Sequence, residues 1–134
     1  MAVITVTAAR VAPLFENMET RSVRVSVAVT AGQLVYIADT GLAALASGAA
    51  AGTAQARGVV LKAAAAGEVT SILLQGEVEG FNVSALDYDV PVYVSDTAGA
   101  LDTAAGTVNV IVGRVVPVPL STGLGKVVRF TRGN

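Results

Sequence analysis

Residues Ser22 to Val29 read SVRVSVAV. In an extended chain Val23, Val25, Val27 and Val29 fall on one side, and Ser22, Arg24, Ser26 and Ala28 on the other. Alternation with period two marks a strand with one buried and one solvated face. The same pattern extends along the chain. Gln33 to Asp39 follows the Ala31-Gly32 turn, so a hairpin is expected there. Val59 to Lys62, Val69 to Gln75, Val90 to Ser95, Val108 to Val116 and Lys126 to Thr131 supply the other main strands. Val108 to Val116 (VNVIVGRVV) is nearly continuous in apolar residues and suits burial on both faces. Pro117 and Pro119 have no N–H to give to a ladder, so pairing should stop there or lie at an edge. Two alanine-rich stretches, Ala43 to Ala56 and Ala63 to Ala66, suggest helix. Gly48 and Gly52 each cost about 1 kcal/mol relative to alanine in a helix interior, so a loop or one short helix is expected. The fold class is all-β.

An internal repeat refines this. VYIADT (Val35 to Thr40) recurs as VYVSDT (Val92 to Thr97), RGVV (Arg57 to Val60) is answered by GRVV (Gly113 to Val116), and GEVTSILL (Gly67 to Leu74) by GKVVRF (Gly125 to Phe130). The offsets are all near 57 residues and the order is the same. Two similar β-units, neither able to bury its own apolar face, are expected to close one core together as a small β-barrel. The half-repeats run over about 32–75 and 89–131, with Gly76 to Tyr88 as the link. Residues 1–21 are expected to be an N-terminal arm, and 22–134 a single β domain. Met1 to Thr20 lie outside the repeat and contain the breaker Pro13, so this arm should pack only partly on its own domain.

The composition narrows the chemistry. The chain has 134 residues, 53% hydrophobic but only 4% aromatic, so its core is built from small and β-branched side chains. Each contributes less burial than Phe or Trp, and partners are expected to add stability. There is no cysteine, which excludes disulfides and thiolate metal sites. There is no histidine, which excludes Ser-His-Asp and Cys-His mechanisms and removes the usual zinc ligand. Net charge is −1, without the basic excess of a nucleic-acid binder. The charges are segregated. Glu68, Glu77, Glu79, Asp87, Asp89, Asp96 and Asp102 lie between Ala63 and Gly113 with no base among them, while the flanks hold every base and only Glu16, Glu19 and Asp39. Basic terminal segments that meet an acidic partner are one reading; solvated loops are the other. No apolar stretch is long and unbroken enough to span a bilayer as a helix, and MAVITVTAAR lacks the basic region of a secretory signal. High hydropathy without a span suggests surface covered in an assembly.

Few residues offer chemistry. Asp39-Thr40-Gly41 after an apolar strand resembles the active-site signature of the pepsin and retroviral aspartic proteases, in which two carboxylates share a proton. Asp96-Thr97 gives a second Asp-Thr, and Ile111-Val112-Gly113-Arg114 loosely matches the supporting apolar motif. However, Leu42 follows Gly41 where those proteases keep Ala or Ser, and the second copy reads Asp-Thr-Ala-Gly. A turn closed by Asp hydrogen-bonding its local backbone accounts for both copies. Glu77 and Glu79 share a strand face and read as solvated. Asp87 and Asp89 lack any calcium-loop spacing. Gly123 to Lys126 lacks the spacing of a phosphate loop. Arg129 and Arg132 flank Phe130, too little aromatic surface for a nucleic-acid platform.

One ordered series points to a family. Ala31-Gly32-Gln33-Leu34-Val35-Tyr36, Arg57-Gly58-Val59-Val60, Gly67-Glu68-Val69, Gly76-Glu77-Val78 and Val92-Tyr93-Val94 together resemble the small head decoration (capsid cement) proteins of tailed phages, over roughly Val23 to Phe130. The resemblance implies a β-barrel or β-tulip domain, a homotrimer on the outer surface of the virion head, and the major capsid protein as partner. It also implies no enzymatic activity, no cofactor, and no nucleic acid, membrane or small-molecule substrate. The attachment residues expected from charge segregation and from strand alternation near the N-terminus are Val3, Ile4, Thr5, Val6, Thr7, Arg10, Phe15, Arg21 and Arg24, with Arg129 and Arg132 at the other end. The N-terminal residues would add a strand to a neighbour's sheet edge. On this reading, deleting the first twenty residues leaves a folded domain that no longer decorates heads. A fibre-like or glycan-binding virion module is the alternative function, with an aspartic protease as a remote one. Sugar stacking would need aromatic platforms, and the chain has only Tyr36, Tyr88, Tyr93 and three Phe.

Overall fold

The structure, a computed structural model, describes residues 3–117 and 126–131, the side chains of residues 14–17 excepted. Its strands are β1 (Val3–Ile4), β2 (Ala12–Arg24), β3 (Leu34–Ile37), β4 (Ala43–Leu45), β5 (Gly58–Val60), β6 (Val69–Glu79), β7 (Pro91–Val94), β8 (Leu101–Asp102), β9 (Ile111–Pro117) and β10 (Lys126–Phe130). A single helical turn, α1 (Ala51–Ala54), and a 3-10 turn at Ala8–Arg10 are the helical pieces among the described residues. All strands join one sheet in the order β1-β8-β7-β9-β10-β6-β5-β3-β4, and β2 also pairs with β6. Every ladder between these strands is antiparallel. The protein is all-β. Among the described residues no helix is long and apolar enough to cross a membrane.

The architecture turns on β6. One of its edges is shared end to end by two strands: β5 pairs at Ile72 and Leu73, and β10 at Gly76, Glu77 and Val78. Its other edge carries β2 from Arg24↔Val69 to Ala12↔Glu79. Between these halves the strand bends at Gly76, whose φ of +136° is accessible to glycine and strained for other residues. A Cβ at Gly76 would lie 2.9 Å from Met18 Cβ, so the position is closed sterically as well. Opposite the bend, the β2 register jumps between Leu14 and Glu19, a bulge that lets β2 follow the turn.

Successive residues of the central strands enter different clusters. Leu34, Val59 and Leu73 join Val78, Val92, Val94, Leu101, Val112, Val115, Val128 and Phe130 in the larger core. Their neighbours Val35, Val60 and Ile72 join Val25, Val29 and Ala43 in a smaller one. Leu34–Val35 of β3, all of β5 and Ile72–Leu73 of β6 are therefore buried on both faces. Hydrogen bonds beyond the strands curl the sheet around these clusters. Ser26 N–H donates to Ala43 O at 2.9 Å, beside a parallel bridge from Val25 to Ala43. This ties the end of β2 to β4, so that β2, β6, β5, β3 and β4 surround the smaller cluster. Thr7 N–H donates to Gly80 O at 2.8 Å and Asn82 N–H to Thr5 O at 2.9 Å, which ties the chain after β1 to the chain after β6 around the larger cluster. The result is a barrel-like body.

The pairings β3·β4, β3·β5 and β5·β6 have counterparts in β7·β8, β7·β9 and β9·β10. Val35 lies opposite Gly58 and Val92 opposite Gly113. A Cβ on Gly113 would overlap the Arg129 carbonyl oxygen, and one on Gly58 would lie 2.7 Å from Leu73 O, so both positions need glycine for close approach of the next strand.

Several expectations are corrected. Residues 3–20 do not lie apart as an arm. Val3 and Ile4 pair with Asp102 and Leu101 of the same chain, Ile4 is 6% exposed, and β2 covers β6. The sheet needs these residues to satisfy its own edges, which removes them as a free strand for a neighbour. The SVRVSVAV strand ends at Arg24, because the chain there leaves β6 for β4. Val25 and Val29 are buried, but Val27 is 39% exposed. No hairpin joins this segment to β3, whose partners are β4 and β5. The stretch from Gly76 is not simply a link, since β6 continues to Glu79. In β9, Ile111 and Arg114 face solvent, so that strand is not buried throughout. The alanine-rich stretch Ala43 to Ala56 holds both β4 and the short α1.

These pairings predict that deleting residues 1–20 exposes most of the β6 edge and uncovers the core beside Ile4. The truncated chain should lose its cooperative thermal transition by circular dichroism. A truncated chain that melts cooperatively near the full-length Tm would contradict the pairing.

Candidate functional site

A concavity lined by described residues opens where β2 and β3 diverge. It is a cleft of about 570 Å³. Period two explains its floor. Val23 lies on the inner face of β2 with Val25, Ile72 and Leu74 share the inner face of β6, and Ile37 follows Val35 on β3. The Val25–Ala43 bridge closes the ring at one end of β2, and toward Arg21 the strands separate and the cleft opens. Arg21, Arg24 and Arg57 line the cleft. Arg24 is held in place by donating from Nη1 to Gly67 O at 2.5 Å. Arginine side chains thus stand beside an apolar floor.

Two of the expected attachment residues, Arg21 and Arg24, meet at this cleft, and Val3 to Thr7, Arg10 and Arg129 lie elsewhere. Val3 and Ile4 are in β1, and Thr5, Val6 and Thr7 run beside Gly80 to Asn82. Of these, Ile4 is buried and Val3, Thr5, Val6 and Thr7 are exposed. Arg10 ends the 3-10 turn and is exposed. Phe15 is in β2, but its side chain lies outside the described residues, as does all of Arg132. Arg129 stands on the outer face of β10, opposite Arg114 of β9 and Glu77 of β6. It forms an ion pair with Glu77 at 2.9 Å, an exposed interaction worth about 0–1 kcal/mol. Arg57, Ile37 and Leu74 were not singled out from the sequence. Arg57 was read only as part of the repeat, and its proximity to Arg21 follows from the β2–β6–β5 pairings, which no local pattern encodes.

The two Asp-Thr segments are turns. Between β3 and β4, Gly41 N–H donates to Ala38 O at 2.8 Å and Ala38 N–H to Leu42 O at 3.0 Å, with Asp39 exposed. After β7, both Asp96 carboxylate oxygens accept from Thr107, Oδ1 from its N–H at 2.9 Å and Oδ2 from its hydroxyl at 2.8 Å. The Asp96 carboxylate is thus engaged in pinning the loop before β9. Asp87 and Asp89 flank exposed Tyr88. Lys126 Nζ lies 5.2 Å from the centre of that ring and donates to Leu86 O at 2.5 Å. Among the described residues no three acidic side chains gather as a metal site. Asp102, which the sequence pattern did not distinguish, is 1% exposed. It accepts from the Ser95 hydroxyl at 3.2 Å and from Ala104 N–H at 3.1 Å, locking the β7–β8 hairpin.

Removing a buried acceptor strands its donors, which costs about 1–3 kcal/mol, whereas a solvated turn carboxylate is worth about 0.5 kcal/mol or less. Asp102→Ala should therefore lower urea-unfolding stability well beyond Asp39→Ala. Equal effects of the two substitutions would contradict the assigned hydrogen bonds. No family model, no curated protein and no solved structure matches this chain.

Proposed function

We propose that the chain is a non-enzymatic structural protein of the tailed-phage virion, a β-tulip-type decoration protein that binds the outside of the head as a homotrimer and stabilises the major capsid protein lattice. The observation that carries this reading is the placement of apolar surface. The body closes around cores made chiefly of valine, alanine and leucine. Even so, Val3, Val6, Val27, Ile37, Val69 and Ile111 stay exposed, Val69 at 54%. Contact with neighbouring subunits would bury these side chains. The ordered motif series from Ala31 to Val94 supports the same reading.

The physical logic is cumulative. A trimer presents each contact three times, so contacts that are weak singly become durable through effective concentration. Binding only the expanded lattice stabilises that lattice by mass action. Attachment of this kind needs shape, exposed apolar area and charge, and makes no demand for an activated nucleophile or a bound metal.

Purified protein should co-sediment with expanded, undecorated phage heads and raise the temperature at which they release DNA. In solution or on the head its mass should be a multiple of three of the 13.4 kDa chain. A protein that never associates with heads, or that associates as a monomer, would contradict the proposal.

A further inference from the structure

We draw no further inference here: the strongest candidate, the apolar row that Val3, Tyr93 and Ile111 form across the paired strands β1, β8, β7 and β9, is a sheet face with Val3 and Ile111 exposed, and nothing in the structure shows what covers it.

Discussion

A single strand has to serve two cores. β6 receives β5 on its first half and β10 on its second along one edge, and β2 along the other. For this it must bend, and the bend falls at Gly76, where positive φ and the approach of Met18 leave room for nothing larger than hydrogen. Because both halves of the chain hydrogen-bond to the same strand, neither can separate without breaking the ladder of the other. The small apolar clusters around Val60 and Val115 are thereby fused into one body.

That constraint also explains the use of the N-terminal residues. A strand as long as β6 would otherwise present an open edge, a template for uncontrolled pairing. β2 covers it, and β1 with the residues after it covers β8 and the segment from Gly80 to Asn82. The exposed edge moves outward to β2 itself. There Arg21 and Arg24 stand beside the cleft.

Local pattern was enough to read the all-β class and the central strands β3, β5, β7 and β10, since period two and valine content are properties of a few adjacent residues. The partners were not legible. Pro13 made the first twenty residues look unsuited to a sheet. In fact it sits opposite Val78 in a strand with no second strand neighbour among the described residues, a setting in which a missing N–H is tolerated. The pattern of Ser22 to Val29 was correct for Val25 and Val29 and failed at Val27, because the chain changes partner after Arg24. Charge segregation led to Arg21 and Arg24, but Arg57 reaches the same cleft through pairings between distant segments. Asp102 is buried by the β1–β8–β7 pairings, and nothing in its neighbours Leu101 and Thr103 announces that.

The account holds that the N-terminal residues are consumed in the protein's own sheet. Amide hydrogen exchange, compared between free protein and protein on phage heads, measures this directly. Peptides spanning residues 3–7 should be protected already in the free protein and change little on the head. Rapid exchange at residues 3–7 in the free protein that slows on the head would contradict the account.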